Sequence, residues 1–273
     1  MTTTTASPPA PGTFDLYVEQ RGSGPDVLLI GGLGDPLEAW EAQLQGLSDR
    51  YRLTAFDNRG AGRSPLPDGP FTVERMADDA AEVLRELGIP SAHVAGFSGG
   101  SIIAQELALR HPDRVRSLVL VSTWARKGAR WHAVVNAVRW MAQCAPSERA
   151  FLEAFFLWIY TRRAHEDGTV QQIVEESLAF PHPATPEAIG LTLDAFAAYE
   201  NADRLPQVTV PSLVIAGGQD PMTPPAYGRA VADLLPDARF EVWDDEAHQP
   251  FQEVPDAFNE RVDSFWREVG GRP

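Results

Sequence analysis

The stretch "HVAGFSGGSI", residues 93–102, places Ser98 among three glycines, directly after an apolar run and directly before a helix-like segment. A serine hydroxyl becomes a strong nucleophile only when a base removes its proton and the backbone carries it clear of the strand. A sharp turn from strand to helix achieves the second condition, and glycines two residues to either side relieve the crowding in such a turn. We therefore predict that Ser98 is a nucleophile. The alternative is a tight turn whose serine takes no part in chemistry.

An acidic and a basic residue follow predicted strands elsewhere in the chain. Asp220 lies in "IAGGQDPMTPP" and His248 lies in "DDEAHQPFQEVPDAF", each just after an apolar run. Parallel strands bring their carboxyl ends to one edge of a sheet, where open α/β sheets bind ligands. Singly, a loop histidine is often a surface residue and an aspartate before proline often starts a turn. Together with Ser98, the order Ser, Asp, His at three strand ends predicts a catalytic triad.

Short apolar runs alternate with helix-like segments, which is typical of βα units. The runs are almost continuously apolar, as strands are when helices cover both faces of a parallel sheet. The segment "TFDLYVEQ" instead alternates polar and apolar residues, which suits a half-exposed edge strand. We predict an α/β fold with a mostly parallel central sheet and helices on both faces. The runs are "DVLLIGG" (26–32), "YRLTAFD" (51–57), "AHVAGF" (92–97), "VRSLVLVS" (115–122), "PSLVIAGG" (211–218) and "ARFEVWDD" (238–245).

One interval interrupts this alternation. Residues 126–205 contain no convincing strand but several helical segments rich in aromatic residues. We predict that they form a helical cap inserted into one α/β core built from residues 13–125 and 206–273. Residues 1–12 are rich in Thr and Pro and lack the basic and apolar parts of a signal peptide, so we expect a flexible tail.

The overall composition limits the partners of the protein. A formal net charge of −15 argues against nucleic acid, because binding to phosphates depends on clustered Lys and Arg. The run "FLEAFFLWIY" is too short to span a bilayer. The single cysteine, Cys144, cannot form an intramolecular disulfide, which suits a reducing compartment. We predict a cytoplasmic monomer or homodimer that acts on a small molecule, with no nucleic-acid or membrane partner.

Five segments, taken in order, resemble the α/β-hydrolase family, in the capped branch that includes esterases, enol-lactonases, carbon-carbon bond hydrolases and perhydrolases. Together they span most of the predicted core, whereas the predicted cap resembles the family only in position and helical character. The resemblance implies the α/β-hydrolase fold. The segments are "IGGLGDPLEAW", "FDNRGAGRS", "GFSGGSIIAQELALRHPDRVRSLVLVST", "GGQDPMTP" and "AHQPFQEVPDAF".

The resemblance implies a role for each matching residue. Ser98 corresponds to the nucleophile, Asp220 to the triad acid and His248 to the general base. The backbone N–H groups of Gly99 and Leu33 correspond to the donors of the oxyanion hole. Such donors stabilise the charge that develops on the carbonyl oxygen. This implies a serine hydrolase that cleaves an ester, thioester or lactone through an acyl-enzyme, without a metal or an organic cofactor.

Two positions depart from the family pattern. Gly31-Gly32 stands where many relatives have His-Gly, which removes a side chain that often supports the oxyanion loop. Gly99 stands where a larger side chain such as Met is common. Asp57 and Arg59, in "FDNRGAGRS", could be read as catalytic, but the similarity favours a structural loop with ion-paired side chains.

Three other functions remain open at this stage. "GGLG" after a strand, with Asp57 at the end of the next strand, suggests a nicotinamide enzyme, but the third glycine of that motif is missing. A ligand-binding receptor can be built on the hydrolase scaffold. The same triad can also serve elimination or lyase chemistry, acyl transfer or perhydrolysis.

The substrate is expected to be mostly apolar. Four of the seven tryptophans fall between residues 124 and 158, near the point where the chain leaves the sheet for the predicted cap. We predict that Trp124 and Trp158 bind the substrate, favouring hydrophobic acyl or cyclic groups. The alternative is that these rings only hold the cap together.

Overall fold

The computed structural model describes residues 15–271, so the tail predicted for residues 1–12 lies outside the described residues. The strands of the described chain are β1 (Val18–Gly22), β2 (Asp26–Ile30), β3 (Arg52–Phe56), β4 (Ala92–Phe97), β5 (Val115–Val121), β6 (Ser212–Gly217) and β7 (Ala238–Trp243). They form one sheet in the order β1-β3-β2-β4-β5-β6-β7. β1 runs antiparallel to β3, and every other neighbouring pair is parallel.

The α-helices of the described chain fall before, within and after the interval predicted to be a cap. Three precede it: α1 (Glu41–Leu47), α2 (Val73–Glu86) and α3 (Gly99–Arg110). Five lie within it: α4 (Ala129–Cys144), α5 (Glu148–Phe156), α6 (Arg162–Glu166), α7 (Thr169–Ala179) and α8 (Pro186–Ala198). Three follow it: α9 (Pro225–Ala232), α10 (Pro250–Glu253) and α11 (Pro255–Gly270).

Helices cover both faces of the sheet, which confirms the predicted fold class. In β2, Leu28 and Ile30 belong to the apolar core that includes α2 and α3, whereas Val27 and Leu29 belong to the core that includes α1 and α11. This alternation follows from the strand geometry, because successive side chains point to opposite faces. The strands β2, β4 and β6 are buried along their whole length.

The two outer strands are more exposed than the inner ones. β1 begins at Val18, later than the apolar alternation suggested, and is only half-buried. β7 is also half-buried, although its sequence was grouped with the continuously apolar runs. The reason is its position: β7 is the last strand of the sheet and pairs only with β6.

The chain between β5 and β6 is helical. No strand forms from residue 126 to residue 205, a stretch that the structure describes in full. The helices α4 and α8 pack against each other, and α5 contacts α7. We propose that residues 126–205 form the helical cap.

The fold places the predicted site residues at one edge of the sheet. Ser98 follows β4, Asp220 follows β6 and His248 follows β7, each at the carboxyl end of its strand. Among residues 15–271, no helix is both long enough and apolar enough to cross a membrane.

Candidate active site

Ser98 occupies a strained turn between β4 and α3. Its backbone has φ 50° and ψ −119°, a conformation that L-residues rarely adopt. The flanking glycines are required by close contacts, since a Cβ on Gly96 would lie 2.3 Å from the carbonyl oxygen of Gly100. A Cβ on Gly100 would lie 2.1 Å from the carbonyl oxygen of Ile30. Strain of this kind costs about 1–3 kcal/mol and persists where the surrounding structure holds it.

The structure brings Ser98, His248 and Asp220 into one hydrogen-bonded chain. His248 Nε2 lies 3.0 Å from Ser98 Oγ, and His248 Nδ1 lies 2.6 Å from Asp220 Oδ2. All three residues are buried. The hydroxyl of Thr223 also donates to Asp220 Oδ2, at 2.7 Å. This is the arrangement in which an imidazole takes a proton from a serine while a carboxylate orients it.

Asp220 is held in its ionised form. Burial raises its pKa, but the charge interaction and hydrogen bond with His248 and the hydrogen bonds from Thr223 outweigh burial and lower the pKa below the ordinary value. The backbone N–H groups of Met222 and Thr223 both donate to Asp220 Oδ1. A carboxylate in this state favours the tautomer of His248 that carries its proton on Nδ1.

The backbone of His248 is held from two sides. Its N–H donates to the carbonyl oxygen of Ile159, in the cap, at 2.9 Å. Its carbonyl oxygen accepts from Ser122 Oγ at 2.7 Å. The ring of Phe97 packs edge-on against the imidazole, with 5.0 Å between ring centroids. The position of His248 therefore depends on the cap as well as on the sheet.

The two backbone groups predicted as oxyanion donors are free of protein partners. The N–H groups of Gly99 and Leu33 make no hydrogen bond to any residue in the range 15–271. Gly99 opens α3, and the first N–H groups of a helix have no partner within it. Leu33 lines the same cavity as Ser98. Their role in catalysis stays a prediction.

Side chains support the predicted oxyanion loop, although it has Gly31-Gly32 in place of the His-Gly of the family pattern. Asn58 Nδ2 donates to the carbonyl oxygen of Gly31 at 3.0 Å. The N–H of Gly32 donates to Asp35 Oδ2, also at 3.0 Å. Asp35 was not among the predicted site residues; its only signal in the sequence was its position as an acidic residue inside the loop motif "GGLGDPLEAW".

Phe196 of α8 occupies the space beside Gly99. A Cβ on Gly99 would lie 2.2 Å from Cζ of this ring, far inside van der Waals contact. Nothing in the sequence pointed to Phe196 in particular, because it was one of many aromatic residues in the predicted cap. The small residue after Ser98 is thus matched by a large one from the cap.

Ser98 and His248 line a cavity between the strand ends and the cap, and most of its walls are apolar. Trp124 lines it, and its ring packs on that of Trp131, with centroids 4.2 Å apart. Trp158 does not line this cavity; it is partly buried and packs against the main core. The structure therefore brings Trp124, but not Trp158, to the predicted nucleophile, and the binding of substrate by either ring stays a prediction.

Asp57 and Arg59 lie away from this chemistry. Asp57 is fully buried and accepts hydrogen bonds from the backbone N–H of Leu37 and from both the backbone and the guanidinium of Arg63. Arg59 pairs with Asp79 on α2. Both side chains are engaged in ion pairs, as the structural interpretation of "FDNRGAGRS" requires.

Comparison with known proteins identifies the family. Residues 25–254 match the family model described as "alpha/beta hydrolase fold".

The chain belongs to the α/β-hydrolase family.

Curated relatives in this family cover nearly the whole chain. "Putative carbamate hydrolase RutD" of Azorhizobium caulinodans is 34% identical over 258 residues, which are 94% of this chain and 97% of that protein. "3-oxoadipate enol-lactonase 2" of Acinetobacter baylyi is 29% identical over 245 residues, 89% of each chain. The solved structure of a thermophilic esterase from Thermogutta terrifontis superposes with a TM-score of 0.84 at 29% identity, over 98% of this chain and 97% of that one. The protein is thus a hydrolase of the α/β fold.

Proposed function

We propose that this α/β-hydrolase cleaves an ester, thioester or lactone of a small, mostly apolar molecule through an acyl-enzyme on Ser98. One observation carries the proposal: the hydrogen-bonded chain Ser98–His248–Asp220 ends at a cavity whose walls are mostly apolar. The names of the relatives support it, since a carbamate, an enol-lactone and an ester all present a carbonyl carbon to a nucleophile.

In the first half of the reaction, Ser98 Oγ forms a bond to the carbonyl carbon as its proton passes to His248 Nε2. The negative charge on the carbonyl oxygen is stabilised by the N–H groups of Gly99 and Leu33, each worth about 3 kcal/mol of barrier. The bond to the leaving group then breaks, and His248 gives its proton to that group. Asp220 stabilises the imidazolium while it exists.

In the second half, a water molecule takes the place of the leaving group. His248 accepts a proton from this water as its oxygen bonds to the acyl carbon. Breakdown of the intermediate releases the acid and returns the proton to Ser98 Oγ. The enzyme is regenerated without a change in oxidation state.

The test is covalent labelling of the serine. We expect a fluorophosphonate to add one adduct to the wild-type protein, detected by intact mass, and to add none to Ser98→Ala. We also expect Ser98→Ala to lower kcat on short p-nitrophenyl esters by at least about a thousandfold, because the triad acts as a unit.

Ser91→Ala, the same chemical change before β4, should keep both the label and the turnover. Ordinary turnover by folded Ser98→Ala protein would disprove the covalent mechanism. Labelling without turnover of any ester, thioester or lactone would instead favour a receptor or a different use of the triad.

A further inference from the structure

Asp35 lines the cavity that contains Ser98. Three cavities meet around it: the inner one with Ser98 and His248, an outer cleft beside α7, and a second outer cleft beside α5 and Pro183. Among the residues described, Asp35 is the one that lines all three. A ligand in any of the three cavities can therefore lie beside this carboxyl group.

One oxygen of Asp35 is engaged and the other is free. Oδ2 accepts the N–H of Gly32 at 3.0 Å and so fixes the orientation of the side chain. Within residues 15–271, Oδ1 accepts no hydrogen bond and no Lys or Arg forms a salt bridge with Asp35. A carboxylate oxygen facing a cavity without a donor is a strong acceptor for a ligand N–H.

The loop leaves space for this side chain. A Cβ on Gly31 would lie 3.3 Å from Cβ of Asp35, and one on Gly32 would lie 3.0 Å from its Oδ2. A Cβ at either position would be in tight contact with Asp35, and one on Gly32 would also press on the ring of Phe97, so these neighbours would have to shift by a few tenths of an ångström. The glycine pair that departs from the family pattern is thus linked to the presence of Asp35.

The carboxyl group keeps its charge at neutral pH. Desolvation by the surrounding protein raises the pKa of Asp35 to about 6, against the opposing effects of the Gly32 N–H and of His248. Because this value lies below 7, the carboxylate is the main form at neutral pH. A negative charge in a poorly hydrated site attracts a cation or an N–H donor and repels a carboxylate.

The surroundings of Asp35 divide into a polar and an apolar part. On one side lies Gln249, buried and held at 2.6 Å by the hydroxyl of Tyr160. On the other side the inner cavity continues to Val134, Val135 and Val138 of α4.

The outer cleft beside α7 has Glu176 in its wall and, among the described residues, no Lys or Arg. Its two other glutamates, Glu38 and Glu41, are paired with Arg63 and Arg21.

We propose that Asp35 selects substrates that carry a hydrogen-bond donor, either a neutral N–H or an ammonium group, which binds its free Oδ1 while the apolar part of the molecule lies against α4. This inference rests on the proposed function, because it assigns a substrate class to the same site. Such an acceptor discriminates among ligands, since a ligand without the donor covers the half-buried carboxylate but leaves its Oδ1 unpaired. Asp35 is a specificity-determining residue in this account.

The test measures binding without turnover, by calorimetry at pH 7.5, with four ligands of one chain length. Hexan-1-amine carries an ammonium group and hexanamide a neutral N–H; N,N-dimethylhexanamide has no donor and hexanoate carries a negative charge. In the wild type we expect hexan-1-amine or hexanamide to bind at least about tenfold more tightly than hexanoate, and the tighter of the two identifies the donor. N,N-dimethylhexanamide should bind less tightly than hexanamide.

Asp35→Asn is the decisive variant, because an asparagine oxygen can still accept the Gly32 N–H while the charge is lost. We expect it to weaken binding of the preferred donor ligand by about tenfold or more, and to change N,N-dimethylhexanamide by less than about twofold. Glu176→Gln, which removes a charge from the outer cleft, should have a much smaller effect on the donor ligand.

Two results would overturn the proposal: equal affinity of the wild type for hexanoate and the donor ligands, or an equal effect of Asp35→Asn on all four ligands. The order of the four affinities is measured on the wild-type protein alone. The proposal can therefore be disproved even if Asp35→Asn does not fold. Because calorimetry needs no chemistry, these results are independent of the labelling of Ser98.

Discussion

At the residue scale, Gly99 and Phe196 form a contact that links the proposed oxyanion hole to the cap. Phe196 is 2% exposed and packs beside Trp124, with ring centroids 6.2 Å apart, so its ring has little room to move away from Gly99. Any side chain on Gly99 must displace either this ring or the start of α3. Because the Gly99 N–H is a proposed oxyanion donor, a shift of the helix start would also affect the reaction.

We expect Gly99→Ala to lower the free energy of unfolding by about 1–3 kcal/mol, the usual cost of overpacking, and to reduce kcat. Phe196→Leu should cost stability by itself but relieve part of the loss when combined with Gly99→Ala. Urea denaturation of the wild type, the two single variants and the double variant measures this coupling. Gly128→Ala, where a Cβ would meet nothing within 4 Å, is the control. Strictly additive losses in the double variant would contradict the steric pairing.

At the scale of elements, a side-chain pair connects the central strands β4 and β5. His93 and Ser117 are partners in the strand register, and His93 Nδ1 lies 2.8 Å from Ser117 Oγ. His93 is 4% exposed, and the ring of Trp266 from α11 stacks on it. Burial, with a smaller effect from the charge of Arg116, lowers the pKa of His93 to about 4. The imidazole is therefore neutral in the folded sheet.

This pKa predicts a loss of stability in acid. Between pH 6.5 and about 4, the unfolded chain binds a proton at His93 and the folded chain does not, so the free energy of unfolding falls as the pH is lowered. The shift in the pKa of His93 can lower the free energy of unfolding by roughly 3 kcal/mol in total. In His93→Asn, which keeps a polar atom near Ser117 but cannot titrate, we expect the fall between pH 7 and pH 4.5 to be smaller by about 2 kcal/mol or more.

Urea denaturation at a series of pH values measures the difference between the two proteins. His132→Asn, at an exposed position on α4, controls for the loss of one histidine. If His93→Asn and the wild type lose stability in parallel across this range, the buried imidazole does not contribute to the acid sensitivity.

At the scale of the whole molecule, buried polar contacts join the cap to the core. Glu106 of α3 has a fully buried side chain that accepts a hydrogen bond from the hydroxyl of Tyr199 and two from the guanidinium of Arg204.

A second contact joins the cap to α10. Thr161 donates to Glu253 through both its N–H and its hydroxyl. Since the cap also holds the backbone of His248 through Ile159, these contacts position part of the proposed catalytic machinery.

We expect Arg204→Met to lower the free energy of unfolding by about 3 kcal/mol, because it leaves the Glu106 carboxylate buried without its cation. Arg149→Met breaks a similar two-bond pair with Glu175 on the cap surface, where both side chains are about half exposed, and should lower the free energy of unfolding much less. Replacing both Glu106 and Arg204 by Met should recover much of the first loss. Equal losses in the free energy of unfolding for Arg204→Met and Arg149→Met would contradict the expectation that burial makes the Glu106 pair more important for stability.

The sequence by itself determined the order of the elements and the position of the proposed nucleophile. Each strand from β2 to β7 falls within a predicted apolar run, because burial on two faces demands a continuous apolar stretch that is local in the chain. The turn at Ser98 is local in the same sense, since its glycines lie within two residues. Asp220 and His248 could be assigned because parallel strands end at one edge, which brings residues distant in sequence together without any detail of packing.

Only the tertiary structure decided which side chains meet across elements. Trp124 and Trp158 looked equivalent in the sequence, yet one lines the cavity and the other does not, because that depends on how the segment after β5 and the cap each pack against the sheet. The contact of Phe196 with Gly99 and that of Ile159 with His248 depend in the same way on how the cap packs on the sheet.

The sequence shows Asp35 only as an acidic residue in a loop motif. That Asp35 lines three cavities with one carboxylate oxygen unpaired is a property of the folded protein. Local patterns specify elements, whereas contacts between residues far apart in the chain arise only when those elements pack.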